Sequence, residues 1–196
     1  MLVLRRITDA ENDEFKRLVD LYREAFPEEE RRDIEQLKVL LKEENSMFFN
    51  AVEYEGRLAG LLVYWNFGTF YYIEHLAVFA EMRNKKIGQH ILDWVREYLK
   101  EMCILEVEPA ETEMAIRRIH YYQRNGYQIL DRQYLQPSYT GEGKPFPLWI
   151  MGNGSPESTA VLQKQIEIIK EKVYYRHRLR EDFVAGWTGS DKSFRL

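Results

Sequence analysis

Only one cysteine, Cys103, occurs in the 196-residue sequence, so no intrachain disulfide can form and a reducing, cytoplasmic setting is expected. Long apolar runs are missing as well, with nothing approaching the roughly 20 residues that span a bilayer. The opening MLVLRRITDAEN places its apolar residues ahead of its arginines and turns acidic at once, which is not the order of a secretory leader. Neither a membrane partner nor a leader is expected. Histidine is sparse: His75, His90, His120 and His177 are scattered without metal-ligand spacing, so no metal is expected. GxGxxG, GxxxxGK(S/T) and GxSxG are all absent, which removes the common phosphate loops and the serine nucleophile elbow. A basic excess is lacking too. The 28 Lys+Arg against 32 Asp+Glu give a net charge of −4, which argues against a dedicated nucleic-acid binder. No internal repeat or low-complexity tract is visible.

What remains is the composition of a soluble globular protein, 45% hydrophobic and 31% charged, of a length suited to one domain with an appendage. Leu2–Ile7 reads as a strand. Thr8 and Glu11 have the spacing of a capping box, opening a helix to about Phe26 with Phe15, Leu18, Val19 and Tyr22 on one face, stopped by Pro27. Glu28–Glu44 reads as a second helix whose EEERR start is a solvated face. Met47–Tyr54, Arg57–Trp65 and Tyr71–Phe79 form an antiparallel meander. A helix from about Met114 to Arg124 ends in Asn125-Gly126, a left-handed cap. Tyr127–Gln133 and Phe146–Met151 are the last strands. Ser155-Pro156 opens a terminal helix whose seam of Leu162, Ile166, Ile169 and Val173 would pack on the sheet or on a partner helix. The basic run Arg176–Arg180 falls near its end, where cations complement the helix dipole. Cys103, Trp94 and His75 read as packing residues, and His90 and His120 as helix surface.

Residues 71–127 carry the most information. A strand runs into the basic turn Arg83–Gly88. A helix follows with Ile87, Ile91, Leu92, Val95 and Leu99 on one face, and Cys103–Val107 is a second buried strand. Strand, crossover helix and strand in this length imply a parallel pair with a right-handed connection, and therefore a mixed sheet. A helix that starts directly after a basic turn offers free N–H groups and a positive dipole end to an anion. A phosphate-bearing ligand at the turn follows.

The segments IEHLAVFAEMRNKKIG and IHYYQRNGY, in this order and spacing, resemble the GNAT superfamily of acyl-CoA-dependent N-acetyltransferases. The resemblance is clear over about a quarter to a third of the chain. It implies an α+β fold, with a mixed, mostly antiparallel central sheet flanked by helices and an extra C-terminal helix. On that reading residues 1–151 are the acetyltransferase domain, and 152–196 are a helical extension packed on it or on a partner, with a homodimer through that helix in view.

The resemblance further implies that acetyl-CoA lies where the parallel strands splay. Leu76, Ala77 and Val78 would pair with its pantetheine arm, and Arg83, Asn84, Lys85, Lys86, Ile87, Gly88 and the following Gln89 would cradle its pyrophosphate. Lys86 stands where the family has its first glycine, so a positive φ there would be strained. Tyr122 matches the tyrosine that protonates the departing thiolate. Glu106 is the first candidate for the base that deprotonates an acceptor amine, and Glu74 the second. Arg117 and Arg118, in an acidic insertion, would either reach the cofactor's phosphates or, the commoner case, pair with nearby carboxylates. The acceptor would be the amine of a small molecule or peptide, at a rim formed by Glu28–Glu30, Trp65, Phe67, Phe70, Tyr134 and Tyr139. The alternative is a non-catalytic acyl-CoA-binding module with the same fold.

Overall fold

The computed structural model describes residues 1–140 and 143–175, so the run Arg176–Arg180 lies outside the described residues. Four strands and two helices open the chain: β1 (Leu2–Arg6), α1 (Asp13–Ala25), α2 (Ile34–Glu43), β2 (Met47–Tyr54), β3 (Arg57–Asn66) and β4 (Tyr71–Val78). Next come α3 (Ile87–Tyr98), β5 (Cys103–Val107), α4 (Glu113–Arg124) and β6 (Gln128–Asp131). The short β7 (Leu135–Gln136) and β8 (Phe146–Pro147), then β9 (Trp149–Gly152) and α5 (Thr159–Ile169), complete the set. A π-helical turn, Lys170–Tyr174, continues α5.

The main sheet has seven strands in the order β1-β2-β3-β4-β5-β9-β6. Among the described strands only β4 and β5 pair in parallel, and α3 is the crossover between them. This is the mixed, mostly antiparallel sheet expected. One face packs α1, α2 and α5 around Phe15, Leu37, Trp65 and Ile166. The other packs α3 and α4 around Ile91, Val95, Leu105 and Ile119. The seam of α5 is spent on the first of these cores: Leu162, Ile166, Ile169 and Val173 are all buried against the chain's own sheet layer. A second copy cannot use that face without first releasing it.

Several boundaries differ from the sequence reading. The α1 cap is Asn12, whose Oδ1 accepts from Phe15 N at 2.7 Å, not Thr8. Asp9 Oδ1 takes the Glu11 amide at 2.9 Å, so this stretch forms a side-chain-closed turn rather than a helix start. Glu28–Glu44 is not one helix. A 3₁₀ turn, Glu28–Glu30, gives way to extended backbone at Arg31. Asp33, a better cap than anything in EEERR, then restarts the chain by accepting from Glu35 N and Gln36 N. The stretch 127–133 pairs only over β6, and 146–151 breaks at Leu148 after Pro147, which has no N–H to continue the ladder. Ser158, not Ser155, caps α5. The Asn125-Gly126 stop is as expected. Gly126 has φ +87°, with Gly126 N bonded to Gln123 O and Tyr127 N to Tyr122 O, the paired bonds of a Schellman cap.

The feature that positions the site is the end of the parallel pairing. The β4–β5 register runs Tyr71–Cys103, Tyr72–Ile104, Ile73–Leu105 and stops. Beyond it, β4 stays on β3 as far as the Gly60–Val78 pair, and β5 stays on β9 through Glu106–Ile150 and Val107–Trp149. Each strand follows its antiparallel neighbour, so the two inner edges part. Glycine is required on the outer side of this opening. A Cβ at Gly60 would sit 2.2 Å from the Ala77 carbonyl oxygen.

Candidate active site

Parting strands leave a cleft of about 580 Å³ whose walls include Leu76, Ala77 and Val78 from β4, Glu106 from β5 and Tyr122 from α4. A second pocket of about 530 Å³ adjoins it. Val78 and Arg83 line both, and the second is completed by Asn84, Lys86, Ile87, Gly88, Gln89 and Tyr121. Of the positions assigned from sequence to the donor, Lys85 lines neither; its Nζ lies 4.0 Å from Met82 Sδ. The three acid–base candidates Tyr122, Glu106 and Glu74 all border the first cleft.

Asn84 and Lys86 both have left-handed backbone, with φ +64° and +57°. The strain anticipated at Lys86 is therefore real. Lys86 is also the N-cap of α3 and makes no side-chain capping bond, so the N–H groups of Ile87, Gly88 and Gln89 have no partner within the helix. Gly88 is tight against α4, because a Cβ there would come to 3.0 Å from the Tyr121 hydroxyl. That hydroxyl is buried without a hydrogen-bond partner. Open amides, two cations in one wall and an orphaned hydroxyl fit a pyrophosphate-bearing ligand. Among the described residues, no group of three or more His, Cys, Asp and Glu could hold a metal ion. None of the described helices is long and apolar enough to cross a membrane.

The two candidate bases have opposite surroundings. Glu74 is locked. Arg32 Nε donates to its Oε1 at 3.1 Å, Tyr139 to the same oxygen at 2.9 Å, and Trp65 Nε1 to Oε2 at 2.6 Å. Burial alone would raise its pKa, but Arg32 and these donors hold it below the usual carboxylate range. Arg32, read from sequence as solvated, is 1% exposed. Its Nη2 also donates to Val173 O at 2.7 Å. His75 lies beside the pair, with Nε2 3.0 Å from the Tyr22 hydroxyl. Burial pushes its pKa down to about 4 against the pull of Glu74, so it is neutral.

Glu106 has no cation among its close partners. Burial pushes its pKa up to about 7, opposed by hydrogen bonding from Tyr134, Tyr174 and Tyr72. Tyr174 donates to Oε2 at 2.8 Å, and Oε1 has no well-formed hydrogen bond. Tyr122, half-buried in the cleft wall, is held protonated by burial, which outweighs the nearby Arg118. Arg118 pairs with Glu108 at 2.8 Å and Arg117 with Glu113 at 3.4 Å, as the acidic insertion suggested. Cys103 is buried, its thiol pushed up to about 12 by burial, and it is inert core.

Sequence reasoning missed Arg32 and Tyr174. Both act through partners far along the chain, and neither sits in a motif. It also misplaced the rim. Trp65, Phe70 and Tyr134 are buried core residues, because their strand-end rings turn into the α1–α5 layer. Tyr139 and Glu30 do line the cleft, joined by Phe26 and Met114.

The sequence profile of the Acetyltransferase (GNAT) family matches residues 10–127. A GNAT-family structure from Bacteroides thetaiotaomicron is 31% identical, covering 88% of this chain and 98% of its own, with a TM-score of 0.83. The chain belongs to the GNAT acetyltransferase family. An aminoglycoside 6'-N-acetyltransferase complexed with coenzyme A shares the fold at 18% identity (79% of this chain, 99% of that one, TM-score 0.53). So does a family member from Elizabethkingia anophelis with acetyl-CoA bound, at 15% identity (77% and 96%, TM-score 0.51). No curated protein matches the sequence.

Proposed function

We propose that the protein is an N-acetyltransferase that moves the acetyl group of acetyl-CoA directly to a primary amine of a small molecule or peptide. The observation that carries this is the placement of Glu106 and Tyr122 on one cleft, beside an unpaired strand edge and next to an uncapped helix start. Acetyl-CoA would supply the activated thioester, held by Arg83, Asn84 and Lys86 through Gln89 at the turn and by Leu76, Ala77 and Val78 along β4. Lys85 would contribute charge only.

Most amines are protonated at neutral pH and cannot attack a thioester. Glu106, poised near neutrality in the cleft wall, takes that proton directly or through a water. Backbone N–H groups of Leu76–Val78, unpaired on the β5 side, are placed to stabilise charge developing on the carbonyl oxygen. Tyr122 keeps its proton and gives it to the leaving sulfur. Glu74, held anionic by Arg32, is a poor base and instead fixes the floor of the cleft. No covalent enzyme intermediate is needed, in keeping with the inert Cys103.

Acceptor charge follows from the wall. Glu24 and Glu30 border the cleft beside the Arg118–Glu108 pair, whose charges offset each other. Such a mouth favours a cationic acceptor. The test is release of CoA with a panel of polyamines, aminoglycosides and peptides. Glu106→Gln and Tyr122→Phe should each slow turnover on the responding amine by about 10²–10⁴-fold. Unchanged turnover in either variant removes that assignment. Tight acetyl-CoA binding with no acceptor in any class would leave the non-catalytic module instead.

A further inference from the structure

We propose that the turn Lys170–Tyr174 is a working part of the acetyl-transfer site, and that Tyr174 is a positioning residue that orients Glu106 and favours its ionised form. This rests on the reading of Glu106 as the base.

The Tyr174 hydroxyl has contacts at 2.8 Å to Glu106 Oε2, to the Tyr72 hydroxyl and to Gln136 Nε2. A phenol has one proton to give and two lone pairs to receive. Glu106 as a carboxylate can only accept, so the Tyr174 proton goes there. The Gln136 amino group can only donate, so it fills one lone pair. Tyr72 must then donate to the other. These three contacts together place the Tyr174 proton on Glu106. Tyr72, Tyr174 and Gln136 are all buried, so water is not needed to complete the set.

The backbone supports this purpose. α5 ends in a π-helical turn over Lys170–Tyr174 rather than in a simple cap, and such turns displace a side chain from the regular helical face. Val173 beside it is anchored twice: its side chain is fully buried, and its carbonyl receives Arg32 Nη2 at 2.7 Å. Tyr174 also packs on Tyr139 at 4.8 Å between ring centroids, and Tyr139 donates to Glu74. The turn is therefore tied to both cleft carboxylates, through Tyr174 to Glu106 and through Val173 and Arg32 to Glu74.

Oε2 of Glu106 is fixed by Tyr174, which restrains rotation about the terminal torsion, while Oε1 is buried without a well-formed hydrogen bond. The other titratable groups that act on Glu106 are Glu74 and Tyr72 from β4 and Tyr134 and Tyr139 from the stretch between β6 and β8. None is a cation. The hydroxyls therefore oppose burial, with Tyr174 giving a well-formed bond. Removing it shifts Glu106 toward the protonated, idle form.

The test uses the full-length protein. Tyr174→Phe keeps the ring and deletes the hydroxyl, and should raise the Glu106 pKa by about one to two units, the loss of one hydrogen bond to a charged group. The acid limb of kcat/KM against pH should move up by the same amount, so that below the limb the variant is about 10–100-fold slower while the plateau is nearly kept. Tyr72→Phe should move the limb in the same direction by less, because Tyr72 acts on Glu106 more weakly than Tyr174 does and otherwise works through its bond to Tyr174. Carbon-13 titration of the Glu106 carboxyl without acceptor reads the same displacement independently of turnover. A Tyr174→Phe variant that melts like the parent but leaves the Glu106 titration in place overturns the proposal, even if acetyl transfer stands. A displaced titration supports it, even in a chain for which no acceptor is found.

Discussion

Arg32 is the residue whose loss should be felt most in stability. Its side chain and that of Glu74 are each 1% exposed. The guanidinium donates to Glu74 and to Val173 O and lies 4.8 Å from the Tyr139 ring centroid and 5.5 Å from that of Trp65. Arg32→Met keeps much of the apolar stem but leaves Glu74 as a buried anion with only the neutral donors Trp65 and Tyr139. Breaking a buried pair in this way costs about 3–5 kcal/mol. At about 2–4 °C per kcal/mol for a chain of this size, the melting temperature should fall on the order of 6–20 °C. The loss should be larger at pH 8 than at pH 5, because an unpaired Glu74 can escape its penalty by taking a proton. Adding Glu74→Gln removes the stranded charge and should recover a large part of the loss, giving a coupling of about 2 kcal/mol or more in urea unfolding at pH 8. If Arg32→Met costs under about 1 kcal/mol at pH 8, or the double variant loses the sum of the singles, the buried-pair argument is wrong.

Other perturbations separate strain, charge and packing. Lys86→Gly relieves a left-handed lysine, worth about 1–2 kcal/mol, against roughly 0.5–1 kcal/mol of added chain entropy, so unfolding should show a net gain near 0.5–1 kcal/mol. Calorimetry should show severalfold weaker acetyl-CoA binding in the same variant, and unchanged binding would remove Lys86 from the donor wall. Glu106→Gln should stabilise the fold in alkaline solution. A carboxyl whose folded pKa is raised from 4.5 to about 7 favours the fold below pH 4.5 and loses that favour as pH climbs through 7. The variant should therefore gain up to about 3 kcal/mol on the parent between pH 5 and pH 8, and a pH-independent difference would contradict the burial of Glu106. Gly60→Ala forces a Cβ against the Ala77 carbonyl; a loss of about 1–3 kcal/mol should be joined by weaker acetyl-CoA affinity, since β4 is the displaced strand. Parental melting and affinity together would show that β3 can yield there.

The strand–helix–strand unit was legible because its signals are local. Aromatic and β-branched runs mark β4 and β5, the apolar spacing marks α3, and the cations mark the turn. Cys103–Val107 was read to the residue. Lys86 could be flagged as strained because a single backbone position and a missing glycine sufficed. EEERR misled because a charged run is usually solvated, and nothing within it says that Arg32 will meet a carboxylate 42 positions away. Glu106 could be ranked ahead of Glu74 by the resemblance, but not by the surroundings of either. What distinguishes them is whether the group delivered by the fold is a guanidinium or a hydroxyl. Tyr174, 68 residues from Glu106, carried no pattern of its own.

The parting of β4 and β5 is matched by a parting in time. Arg32 reaches Val173 across 141 residues, and Tyr72 reaches Tyr174 across 102. The donor turn, by contrast, closes within the span from β4 to α4. Each doubling of a loop adds only about 0.6 kcal/mol to its closure, but such contacts are made late, after local structure has formed. During synthesis, a chain extended only through α4 holds every residue of the anion-binding turn but not Tyr174. The fold thus withholds a tuned base until nearly all of its described length is in place.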